Sequence, residues 1–159
     1  MKRILLAAVV AVLLRTAPPA WPADQKGAAH LSLAPDLSFA DDSSSNFPIR
    51  GVRLGEGEIS PGQPAVVFFG TSHCWNTNRE AERLVAFYAN HKDEAQFLVV
   101  DLDHPTRAQR KLVGAYYHGY IPTLAFLDSK GKVVYDKAGE TSRIRGDTSR
   151  LEEIFRKAR

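Results

Sequence analysis

The stretch Gly70-Thr71-Ser72-His73-Cys74-Trp75-Asn76-Thr77 holds the only cysteine of a 159-residue chain. Ahead of it runs Ala65-Val66-Val67-Phe68-Phe69, a short apolar segment that reads as a buried strand. Behind it, Arg79 to Asn90 reads as a helix, with Ala81, Leu84, Val85, Tyr88 and Ala89 on one face. A cysteine at a strand-to-helix turn lies near the positive end of the helix. Free backbone N–H groups there stabilise a thiolate, which lowers the thiol pKa and makes the sulfur nucleophilic. A thiolate can attack a disulfide and leave a mixed disulfide.

The neighbours of Cys74 each admit two readings. Thr77, three residues on, could donate a hydrogen bond from its hydroxyl to the thiolate and stabilise it. It could equally start the helix, since Thr77 and Glu80 stand at capping-box spacing. His73 would favour the thiolate if protonated, or it is simply a surface residue. His73, Cys74 and His118 could also suggest a soft metal site, such as copper. No metal and no cofactor is expected.

The elements that must hold this turn follow in order. Phe97-Leu98-Val99-Val100 is a second buried strand. Thr106 and Gln109 stand at capping-box spacing for a second helix, packed through Leu112, Val113 and Tyr116. Ile121-Pro122-Thr123-Leu124-Ala125-Phe126-Leu127 is a third strand that opens with a proline, trans if it is an ordinary strand start. Asp128-Ser129-Lys130-Gly131 turns the chain into an antiparallel partner, Lys132 to Asp136. Ser149 and Glu152 offer another capping box for a last helix, with Leu151, Ile154 and Phe155 inward. A further short strand is expected around Val52 to Leu54. The order gives an α/β fold, a central mixed sheet flanked by helices.

Residues 1–23 read as a secretory signal. Lys2 and Arg3 precede the apolar Ile4–Leu14, which is short for a bilayer span, and small residues follow. An exported chain, periplasmic or secreted, is expected, with no stable membrane span after cleavage. Residues 24–50 are rich in Ala, Ser, Asp and Pro without apolar period, and read as a linker or extension. Residues 51–159 then form the domain. The formal charge of +3 is small and scattered, so nucleic acid is not an expected partner. An unpaired cysteine in an exported protein points to intermolecular pairing or a reactive thiol.

This order, with a cysteine at the first strand-to-helix turn and Tyr120-Ile121-Pro122-Thr123 entering the third strand, resembles the thioredoxin superfamily over roughly Pro61 to Arg159. The resemblance implies a thioredoxin-like sheet and a cis Ile121–Pro122 bond beside Cys74. Ile121 would then pair with an extended substrate, and Trp75 would stand on the rim of that groove. Where the family has Cys-x-x-Cys, this chain has Cys74-Trp75-Asn76-Thr77, so Thr77 replaces the resolving thiol. The buried acid of the thioredoxins falls at Phe68, and the kinking proline of their first helix at Glu82.

Two functions fit. In the first, Cys74 exchanges with protein or small-molecule thiols and disulfides, with Thr77 beside it and Trp75, Ile121 and Pro122 holding substrate. In the second, the chain is a non-catalytic binding module for a protein partner that keeps the groove without turnover.

Overall fold

The computed structural model describes residues 26–139 and 143–159. The expected signal segment, 1–23, lies outside the described residues. Among the described residues, nine elements follow in order. They are β1 (Ala29–Leu33), β2 (Ile49–Val52), β3 (Ala65–Gly70), α1 (Trp75–His91), β4 (Gln96–Asp101), α2 (Arg110–Tyr116), β5 (Thr123–Leu127), β6 (Val133–Ala138) and α3 (Ser149–Ala158).

The main sheet runs β4-β3-β5-β6. β3 and β4 are parallel, whereas β5 is antiparallel to both β3 and β6. Alternation along the strands divides the core. Val66, Phe68, Phe97, Val99, Leu124 and Phe126 face one side, where Ala81, Leu84 and Phe87 of α1 and Leu151, Ile154 and Phe155 of α3 cover them. Val67, Phe69, Leu98, Val100, Ala125 and Leu127 face the other, under Leu112 of α2. The expected mixed sheet with helices on both faces is present.

Several local expectations change. The stretch 24–50, read as linker or extension, contains β1, which pairs antiparallel with β2, and Leu31 and Ile49 enter the main core. The period is hidden because β1 is short, bends through His30 at φ +55°, and slips register between Ala29 and Ser32. The strand expected at Val52–Leu54 lies earlier, at Ile49–Val52, so a boundary at residue 50 cuts through it. Just before β1, the backbone N–H of Ala28 donates to Phe97 O at 2.7 Å, alongside the outer strand β4.

The Thr106–Gln109 pair forms both of its reciprocal bonds. Gln109 N donates to Thr106 Oγ1, and Thr106 N donates to Gln109 Oε1. The Ser149–Glu152 box does not form. Ser149 Oγ donates to Asp147 Oδ1, and Glu152 is drawn to His91 Nε2 on α1 at 2.8 Å. Among the described residues, no helix is long and apolar enough to cross a membrane.

Candidate functional site

β3 runs out at Gly70, and the reason for a glycine is steric. A Cβ there would stand 2.5 Å from Thr77 Cγ2 and 2.8 Å from Phe68 Cε1. Only a bare α-carbon lets the first turn of α1 sit this close to the strand. The turn is then stitched to the end of β4. Leu102 N donates to Gly70 O at 2.9 Å, and Ser72 N donates to Asp103 Oδ2 at 2.8 Å. His73 takes the left-handed conformation, φ +51°, uncommon for a side chain of its size. That bend delivers Cys74 in extended geometry, φ −139° and ψ 107°, as the N-cap of α1. Asn78 N donates to Cys74 O at 3.1 Å, the first bond of the helix.

Cys74 is a free thiol, partly exposed, and its side chain caps no helical N–H. α1 is 17 residues long and carries no acid in its own first turn. A carboxylate arrives from far away in sequence instead: Trp75 N donates to Asp42 Oδ1 at 2.8 Å. Next to it, Asn78 Nδ2 donates to Ser38 O at 2.6 Å and to Ser44 Oγ at 2.9 Å, both from the same 38–44 segment. Asn78 and Ser44 are buried, so this is a packed junction. Sequence reasoning misses these partners. Their only trace is Asp41-Asp42-Ser43-Ser44-Ser45-Asn46, residue types that cap helices and turns but do not say which helix.

Thr77 fits neither of its sequence readings. The helix already includes Trp75 and Asn76, so Thr77 does not start it. Its hydroxyl is buried and makes no hydrogen bond, to Cys74 or to any other residue described. Its methyl Cγ2 instead packs toward Gly70, where an added Cβ would stand 2.5 Å from it.

The second half of the site is placed by strand direction. β5 is antiparallel to β3, with Thr123 opposite Phe69, so the Tyr120–Pro122 loop leaves the same end of the sheet as the Cys74 turn. The Ile121–Pro122 peptide bond is cis. Pro122 is buried, Ile121 is 40% exposed and Tyr120 is 66% exposed. Gly139 N donates to Pro122 O at 2.7 Å. A Cβ at Gly139 would lie 3.0 Å from both Glu80 Cγ and Pro122 Cγ, so α1 and the proline loop meet at this glycine. Trp75 is partly exposed at the head of α1, with the Arg79 guanidinium 5.6 Å from its ring centroid.

The histidines go elsewhere. His73 is exposed, and His118 Nε2 bonds Asp136 Oδ2 on β6 at 2.9 Å. Among the described residues, no group of three or more His, Cys, Asp or Glu side chains converges to hold a metal ion.

No protein-family model matches the chain, and no curated protein matches it. Solved structures do. An uncharacterised thioredoxin-like protein from Clostridium perfringens is 21% identical, covering 64% of this chain and 75% of its own, with a TM-score of 0.51. Thioredoxin-2, described as a component of the malaria parasite's protein secretion machinery, is 18% identical, covering 64% and 88%, with a TM-score of 0.50. A Fasciola hepatica thioredoxin is 21% identical, covering 62% and 84%, at 0.48.

Proposed function

From a thioredoxin-like fold as premise, we propose that this chain is an exported monothiol exchange protein. Cys74 is its nucleophile, and its partners are proteins or small molecules bearing thiols or disulfides. The carrying observation is the placement of the sole cysteine, free and partly exposed at the N-cap of α1, at the sheet end that also bears Ile121 and Pro122. Trp75, Ile121 and Pro122 are the surfaces on which the substrate chain would lie. Export rests on the signal-like residues 1–23 alone.

The chemistry is a single exchange. The Cys74 thiolate attacks one sulfur of a disulfide. A new bond forms between Cys74 and that sulfur, the old S–S bond breaks, and the other sulfur leaves as a thiolate that takes up a proton. No net oxidation occurs. Position 77 is threonine and the chain has no other cysteine, so release needs a second thiol from outside.

One observation favours the other reading, a binding module without turnover. The N–H of Trp75, a donor that would stabilise a thiolate, is held by Asp42.

The deciding experiment treats the full chain with oxidised glutathione and follows its intact mass. A single glutathione adduct is expected, lost on adding a small thiol and absent in Cys74→Ser. A thiol that stays unmodified until the protein is unfolded defeats the exchange mechanism. The binding module is then the remaining reading.

A further inference from the structure

We propose that the pocket beside the proline loop, floored by Asp136, takes an arginine side chain of the bound partner chain. This rests on the partner chain lying on Ile121 and Pro122.

Strand register builds the pocket. Thr123 pairs with Ala138, and Ala125 with Asp136. Alternation then turns Thr123, Asp136 and Ala138 to the face that Ala125 shares with α2. β6 is the outermost strand on this side of the sheet. His118 and Tyr120, from the loop after α2, complete a mostly apolar pocket of about 380 Å³. That is room enough for a long side chain. Thr123 Oγ1 donates to Tyr120 O and fixes the loop against β5. Two walls are shared with the proline loop. Tyr120 precedes Ile121, and Ala138 precedes Gly139, whose N–H donates to Pro122 O. A chain lying on Ile121 and Pro122 therefore passes the mouth of this pocket.

The polar end of the pocket accepts hydrogen bonds. The Asp136 side chain is only 11% exposed, with Oδ2 on His118 Nε2 at 2.9 Å. Its Oδ1 is buried and has no hydrogen-bond partner among the described residues. A buried acceptor in that state costs free energy until a donor reaches it. A carboxylate only accepts, so His118 Nε2 carries the shared proton, and in the neutral ring Nδ1 is a second acceptor. The other charged lining residue is Lys137, which pairs with Leu124 and so alternates to the opposite face. These walls match an apolar stem with a cationic, donor-rich head. Arginine supplies both, and its planar guanidinium also stacks on an aromatic face such as that of the exposed Tyr120. The His118 side chain is 62% exposed, so the ring can turn aside and open the carboxylate to the entering head.

The test has two arms, both on the full chain. In the first, the nitrogen-15-labelled protein is titrated with n-butylguanidine and with n-butylurea, its uncharged shape analogue. Butylguanidine should give saturable shifts at the amides of Tyr120, Thr123, Asp136 and Ala138, and butylurea none. Asp136→Asn should weaken the guanidine about ten-fold, the size of a hydrogen bond to a charged group. In the second arm, Cys74 reacts with the symmetric disulfide of acetyl-Arg-Ala-Cys-Ala-Arg-amide, or of the same peptide with norleucine for arginine. Each rate is divided by that of 2-mercaptoethanol with the same peptide, which removes the peptide's own reactivity. The arginine peptide should react about ten-fold faster, and Asp136→Asn should abolish the difference.

Butylguanidine without saturable shifts at these amides, or no tighter than butylurea, overturns the arginine pocket. That comparison needs no substitution, so it holds even where Asp136→Asn harms folding. Equal binding to the parent chain and to Asp136→Asn overturns it too. The two ideas fail separately. Guanidine binding with no adduct from either peptide keeps the pocket and defeats exchange. Adducts formed at equal relative rates from both peptides keep exchange and defeat the pocket as a substrate subsite.

Discussion

Arg83→Met is expected to lower the stability of the domain by about 4 kcal/mol, within the range for removing one partner of a buried ion pair. Arg83 and Glu80 are 3% and 1% exposed, and Arg83 Nη1 lies 2.8 Å from Glu80 Oε2, one helical turn away. Arg83 Nε also donates to Asp147 O at 2.8 Å, tying α1 to the approach to α3. Methionine fills most of the volume but leaves the Glu80 carboxylate in the protein interior without its arginine. Glu80 is also the residue that packs against Gly139 beside Pro122, so the disturbance reaches the proline loop. Urea unfolding monitored by far-UV circular dichroism reads the change. The double variant Glu80→Leu with Arg83→Met should recover much of the loss, because an apolar pair needs no compensating charge. A single-variant cost below about 1 kcal/mol would place this pair among solvent-screened surface bridges.

The second large effect belongs to Phe87→Ala, expected to cost about 4 kcal/mol through lost burial and the cavity left behind. Phe87 is fully buried on α1, where it faces α3 and the sheet. Its ring centroid lies 5.4 Å from Phe155 of α3, 6.0 Å from Phe126 of β5 and 6.1 Å from Phe97 of β4. His91 stacks on it at 4.4 Å, and that histidine carries the bond to Glu152. Alanine removes the one ring these neighbours share. A fall in Tm of roughly 10–15 °C is expected, at about 2–4 °C per kcal/mol for a chain of this size. Phe87→Leu keeps much of the volume and should lose less than half as much. If Phe87→Ala melts within a few degrees of the parent, the aromatic cluster does not form the centre of this core.

The contrast between what the sequence makes legible and what it hides has a physical basis. Ala81 and Leu84 can be placed because burial imposes a helical period, and Phe68 and Phe126 because each lies in an unbroken apolar run. The cysteine turn is legible for the same reason, since it sits between an apolar run and an amphipathic helix. Asp42 is not, because its partner is a backbone N–H 33 positions away, and backbone groups look alike from every residue. Thr77 misleads because helical spacing places it near Cys74 but is silent on the neighbouring strand. It is the bare Gly70 that lets Thr77 turn inward. Glu152 shows the same limit from the other side. Its spacing from Ser149 suits a local bond, and a histidine on another helix takes it instead. β1 is hidden because a left-handed His30 breaks the alternation that marks a strand.

The bond from Ala28 to Phe97 has a practical meaning for anyone shortening this chain. β4 is an outer strand of the main sheet, and Phe97-Leu98-Val99-Val100 is an apolar, β-branched stretch of the kind that pairs with copies of itself when its flank is bare. Ala28 occupies part of that flank, and a Cβ on Gly27 would stand only 2.7 Å from Phe97 O. A version trimmed to the familiar core at Pro61 would discard this guard and should self-associate. A version beginning at Lys26 should remain monodisperse in sedimentation velocity at the same concentration. The few residues ahead of β1 thus act as an aggregation gatekeeper.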